Sequence, residues 1–168
     1  YILIQEGNRM TKLLQLLESD CTLTPEQLAA MTQKSVEEVK AAIAQLEKEK
    51  IIRGYQAVID WDKTDRENVT ALIEVKVIPQ RGDGFDRIAE RIYQYDEVES
   101  VYLMSGAFDF TVIISGRTLR EVAQFVSEKL APLEGVTGCA THFILHKYKE
   151  NHLIFDKREK QEKEWIFT

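Results

Sequence analysis

Two helix-start signatures eleven residues apart constrain this chain most: Thr24-Pro25-Glu26-Gln27 and Ser35-Val36-Glu37-Glu38. Each places a hydroxyl residue three positions before Gln or Glu. In such a box the hydroxyl accepts from the amide at the third helical position, and the side chain there accepts from the cap amide. Pro25 suits the first helical position, where an amide proton would go unpaired anyway. Starts this close leave about two turns for the first helix, carrying Leu28, Ala29 and Met31, and a tight joint at Thr32-Gln33-Lys34. In the second helix Val36, Val39, Ile43 and Leu46 form one apolar stripe, which ends near Glu49-Lys50. Upstream, Met10, Leu13, Leu14 and Leu17 recur at i, i+3, i+4 and i+7 and predict a helix over 10–19, broken by Asp20-Cys21-Thr22. Residues 1–9 fit no periodic pattern. Three helices in so short a stretch, the last two joined by a short turn, have helix-turn-helix (HTH) spacing, so residues 10–53 read as a small helical domain.

Residues 54–68 read as an extended connector followed by the polar, turn-rich run Trp61 to Asn68. The pattern then changes period. Val69, Ala71, Ile73, Val75 and Val77 alternate with polar residues, a strand signature. A loop at Pro79–Gly84 leads to a helical set at Phe85, Ile88, Ala89, Ile92 and Tyr93. Strands are predicted over 97–105 and from Phe108 to Ile114, around a turn at Gly106-Ala107. A helix follows along Leu119, Val122, Ala123, Val126 and Leu130, and a last strand over 139–149. The fold class is α+β. A three-helix winged-helix-like domain precedes a βαββαβ ferredoxin-like domain over 69–150, with two helices on one face of an antiparallel sheet. Leu72, Ile78 and Ile113 fall on the other face, which predicts burial against a second subunit. Residues 151–168 form a charged tail holding the clusters Leu153-Ile154-Phe155 and Trp165-Ile166-Phe167.

Composition narrows the function. No apolar run is long enough to span a bilayer and no secretory leader pattern begins the sequence, so a cytoplasmic protein with no membrane partner is expected. Cys21 and Cys139 stand alone, outside any metal-binding or disulfide pattern. Residues 24–53 carry Lys34, Lys40, Lys48, Lys50 and Arg53 against Glu26, Glu37, Glu38, Glu47 and Glu49. Any attraction of this segment to phosphate is therefore weak, and groove reading must rest on particular side chains.

Three motifs in one order carry a family resemblance. Leu46–Asp60 (LEKEKIIRGYQAVID), Leu103–Ile114 (LMSGAFDFTVII) and Leu130–Lys149 (LAPLEGVTGCATHFILHKYK) resemble the end of the recognition helix with its connector, the hairpin and the closing strand of the Lrp/AsnC (feast/famine) transcription regulators. The resemblance covers about residues 10–150. It implies an HTH DNA reader joined to an effector-sensing RAM domain, a homodimer that can build octamers, and double-stranded operator DNA as partner. An amino acid or related small metabolite would be the effector, bound between RAM domains. Carried onto this chain, the DNA-reading residues are Gln33, Lys34, Ser35, Glu37 and Lys40. The effector-binding residues are Ser105, Gly106, Ala107, Phe108 and Asp109, with Thr141 and Phe143 on the closing strand. Amides around Gly106 suit a carboxylate. Asp109 suits an α-ammonium, and it could equally cap the hairpin.

No catalytic motif, metal site or cofactor is predicted. His142 and His146, four apart on the predicted closing strand, would share a face about 13 Å apart, too far for one ion. Two alternatives stay open at this level. One is a sirohaem-decarboxylase-like enzyme, since those enzymes resemble the same fold. The other is a partner that co-assembles with a relative and does not bind DNA alone.

Overall fold

A computed structural model describes the backbone of residues 2–78 and 84–155 and the side chains of 11–78 and 84–155. Residues 79–83 of the predicted loop Pro79–Gly84 and the tail cluster Trp165-Ile166-Phe167 lie outside the described residues. The chain divides into two compact units, Tyr1–Ala57 and Val58–Thr168.

The first unit holds α1 (Ile2–Ser19), α2 (Pro25–Thr32) and α3 (Val36–Lys48). Helix α1 starts eight residues before the apolar stripe predicts, because a helix can extend beyond the stripe that its core needs. Both capping boxes close. The Thr24 hydroxyl accepts from the Gln27 amide at 3.3 Å, and the Gln27 side chain accepts from the Thr24 amide at 2.8 Å. Ser35 and Glu38 repeat this at 3.2 and 2.7 Å. Each cap contributes about 1 kcal/mol. Between the helices Gln33 takes the left-handed conformation (φ 57, ψ 43), and its amide donates to the Ala29 carbonyl. One non-glycine residue at positive φ thus turns the chain sharply enough to start α3 three residues later. Leu13, Leu17, Leu28, Ala29, Val39 and Leu46 form the core of this unit.

Residues 53–60 belong to no helix or strand. A single 3-10 turn, Trp61–Lys63, follows. The second unit then runs β1 (Val69–Val77), α4 (Asp86–Tyr93), β2 (Val98–Leu103), β3 (Phe110–Gly116), α5 (Leu119–Phe125) and β4 (Val136–Phe143). The strands form one antiparallel sheet in the order β2-β3-β1-β4. Ala71, Ile73 and Val75 of β1 and Phe110, Val112 and Ile114 of β3 are buried with Ile88, Ile92, Val122, Phe125 and Leu130 from the helical side. Helix α5 widens into a π turn, Val126–Leu130, which carries Lys129 to Glu97 and over the rings of Tyr95 and Phe125.

The sheet's other face presents Leu72, Ile113, Glu74, Tyr102 and His142, with Leu72 and Ile113 half-buried. His142 Nε2 stands 3.5 Å from a Glu74 carboxylate oxygen. Ile78, just past β1, is 68% exposed.

The closing strand departs from expectation at both ends. It begins at Val136 and stops at Phe143, not 139 and 149. Its ladder with β1 stops there: Phe143 pairs with Ala71 and the Ile144 amide still donates to the Thr70 carbonyl, while Thr70 and Val69 go on pairing with β3. His146 is therefore not on the strand, and the two histidines share no strand face. The chain turns instead into a small hairpin, β5 (Lys149–Glu150) with β6 (Leu153–Ile154). Asn151 (φ 45) and His152 (φ 67) supply the two positive φ angles that a type I′ turn requires.

Candidate nucleic-acid interface and effector turn

Helix α3 buries Val39 and Leu46, with Val36, Ala42 and Ile43 partly buried beside them. At about 100° per residue the direction opposite Val39 falls on Glu37, Ala41, Ala44 and Lys48. All four are exposed. Of the residues expected to read DNA, Gln33 sits in the left-handed joint and is exposed, while Lys34 is half-buried. Ser35 is exposed but its hydroxyl already accepts from the Glu38 amide. Glu37 faces solvent opposite the core, and Lys40 lies about 60° to one side of Glu37. The joint and the first two turns of α3 thus gather all five at one end of the helix. The same exposed face carries Ala41, Ala44 and Lys48, none of them among the residues expected to read DNA. The signal was present in the 3.6-residue period, but two alanines carry no charge to draw notice.

The turn Ser105–Asp109 joins β2 to β3. Ser105, Gly106 and Ala107 are exposed, and Phe108 and Asp109 are half-buried. Asp109 completes both ladders of β3. Its amide donates to the Val75 carbonyl at 3.0 Å, and its carbonyl accepts from the Met104 amide at 2.8 Å. Its carboxylate oxygen Oδ2 accepts from the Val77 amide at 2.8 Å, standing where the next backbone carbonyl of the ladder would be. Gly106 does not have positive φ, and a methyl group added there would meet nothing within 4 Å. The hairpin itself therefore does not require glycine at 106.

Thr141 and Phe143 are not brought to this turn within one chain. Thr141 pairs with Ile73 and Phe143 with Ala71, so both point to the helical side of edge strand β4, with β1 between that strand and Asp109 of the turn. Phe143 packs against the core. A cavity of about 300 Å³ lies elsewhere, lined by Ile114, Glu121, Val122, Phe125 and Lys129 among others. It opens at the far end of β3, about 20 Å from the turn at ~3.3 Å per residue. No described cluster of three or more His, Cys, Asp or Glu could hold a metal ion. Burial pushes the Cys139 thiol pKa up.

Comparison with known proteins bears on both regions. Residues 70–154 match the Lrp/AsnC ligand binding domain. Over 147 residues the chain is 51% identical to an HTH-type transcriptional regulator of Bacillus subtilis (strain 168), YugG, covering 87% of this chain and 89% of that protein. The chain belongs to the Lrp/AsnC family. It is accordingly a transcriptional regulator and not an enzyme, which sets aside the sirohaem-decarboxylase alternative. Solved structures agree on the fold. A transcriptional regulator of Neisseria meningitidis, in complex with L-methionine, matches with a TM-score of 0.69 at 22% identity, over 84% of this chain and 91% of that one. AsnC of E. coli matches with a TM-score of 0.66 at 15% identity, over 85% and 94%. The chain shares their fold, with three N-terminal helices ahead of its four-stranded sheet. No helix among the described residues is long and apolar enough to cross a membrane.

Proposed function

We propose that this Lrp/AsnC protein is a cytoplasmic, sequence-specific DNA-binding regulator whose affinity or assembly changes when it binds an amino acid or related metabolite. The observation that carries the reading is the α2–α3 pair. Two reciprocally capped helices meet at a left-handed joint and leave one face of α3 unburied over about three turns. An HTH uses such a face to enter the major groove. Gln33, Lys34, Ser35, Glu37 and Lys40 are the contact set at its leading end.

The effector is assigned to Ser105, Gly106, Ala107, Phe108 and Asp109. Gly106 supports this, since its backbone lies open to a carboxylate and its own chain makes no demand for glycine. Thr141 and Phe143 would reach such a ligand only from a second subunit. A homodimer through the half-apolar sheet face, able to grow to an octamer, is the assembly this requires. The complex of the Neisseria relative with L-methionine supports an amino acid as the ligand class.

The test is selection of genomic DNA by the purified full chain at low and moderate salt, with and without a mixture of amino acids. Enriched palindromic fragments whose recovery shifts with one amino acid are expected. Enrichment that no amino acid alters would sink the effector half. No enrichment at either salt, reversed by adding a second family member, would instead establish the co-assembling partner.

A further inference from the structure

The reading face of α3 is unusual in what it presents, and its chemistry points to particular bases. Glu37, Ala41 and Ala44 lie in one line on the side of α3 opposite Val39. At 1.5 Å rise per residue, Glu37 to Ala44 spans about 10 Å. That is about three base pairs at ~3.4 Å each. An ionised carboxylate accepts hydrogen bonds and donates none. In the major groove, guanine presents only acceptors and thymine an acceptor with a methyl group. Donors come from cytosine N4 and adenine N6, and a carboxylate pairs by preference with cytosine N4. Alanine has neither donor nor acceptor, and its one base-edge partner in this groove is the thymine C5 methyl. Its small size also lets the helix backbone approach the base edges closely.

Glu37 is available for this role and Glu38 is not. The Glu38 carboxylate accepts from the Ser35 amide at 2.7 Å and closes the capping box. Glu37 has no side-chain partner among the described residues and is exposed. The balance of five basic and five acidic residues over 24–53 leaves little phosphate attraction, so contacts to bases must supply a larger share of the binding.

We infer that α3 specifies a cytosine through Glu37 and thymine methyls through Ala41 and Ala44, within one stretch of about four base pairs in each half-site. The inference rests on the DNA-reading function proposed above and adds the bases read.

Two measurements test it, both with the full chain. First, random duplexes are selected with the wild type and with Glu37→Gln. Glutamine pairs by preference with adenine N6 and N7, so one cytosine of the motif should become adenine while the other positions stay. Second, each motif thymine is replaced by deoxyuridine, which removes the methyl group and keeps base pairing. Loss of one methyl contact should weaken binding about three- to five-fold at the positions that Ala41 and Ala44 face. A helix-capping role for Glu37 would change stability but not the selected base. An unchanged motif in Glu37→Gln, or deoxyuridine without effect anywhere, would overturn the inference and leave DNA binding standing. No motif selected by the wild type would overturn both.

Discussion

Replacing Asp109 by alanine and, separately, by asparagine divides the two roles this side chain can have. The Val77 amide it binds belongs to a residue only 8% exposed, beside the irregularity in pairing between Lys76 and Val77. Alanine leaves that amide without its partner, and a hydrogen bond to a charged group is worth about 1.5–3 kcal/mol. For a unit of roughly 100 residues each kcal/mol shifts the melting temperature by about 4–8 °C, so a loss near ~2 kcal/mol predicts a fall of about 8–16 °C. Asparagine keeps a carbonyl acceptor of the same reach. A neutral bond is about half as strong, so its cost should stay within about 1 kcal/mol. Trp61 belongs to the second unit, so its fluorescence in a Trp165→Phe background reports on that unit during denaturation. Calorimetric titration with the effector supplies the other half of the assay. Both variants lack the charge that an ammonium group would pair with, so both should bind the effector more weakly. An alanine variant as stable as the wild type would refute the ladder argument. An asparagine variant that binds the effector as the wild type does would refute the ammonium assignment and leave Asp109 a hairpin residue alone.

Gln33→Gly should raise the stability of the HTH unit by up to about 1 kcal/mol, because glycine adopts φ 57 without a Cβ penalty. A lowered melting temperature would show that the glutamine side chain holds the joint. Gly135→Ala should destabilise the RAM domain by about 1–3 kcal/mol. Its Cβ would lie 2.9 Å from Ile88 Cδ1, at a φ of 93. Adding Ile88→Val removes that methyl group and should restore part of the loss; no recovery at all would mean that φ alone sets the cost. The hydrogen bond from Lys129 holds Glu97 below its ordinary pKa, and the same bond holds Lys129 above its own. The pair therefore stabilises the fold between the ordinary carboxylate and ammonium ranges. This contribution is lost as pH falls through the folded pKa of Glu97, and again as it rises through that of Lys129. Melting temperatures of Glu97→Gln should fall short of the wild type at neutral pH and converge with it in acid. A gap that stays constant into acid would assign the effect to packing.

Much of this architecture was legible because it rests on local rules. Thr24, Pro25, Gln27, Ser35 and Glu38 mark the starts of α2 and α3, since a capping box involves only four consecutive residues. The alternation from Val69 to Val77 predicts which side chains enter the core of a half-buried strand. The motif Leu103–Ile114 was enough to place the hairpin and the turn that carries the candidate effector residues.

What the sequence by itself determined, then, is the order and type of the elements and the face each one buries, because those follow from spacing along a single segment. Tertiary structure alone decided where pairing stops and what each polar group does there. Strand β4 ends at Phe143 because its pairing with β1, drawn from a segment some seventy residues earlier, stops at Ala71, past which only the bond from Ile144 to Thr70 remains. The Asp109 carboxylate completes a ladder through an amide thirty-two residues away. Thr141 and Phe143 fall on an edge strand apart from the turn they were grouped with, because strand order is set by which segments pair across the sheet. Hydrogen-bond partners distant in sequence become neighbours only when the chain has folded, and no period or cap along one segment encodes them.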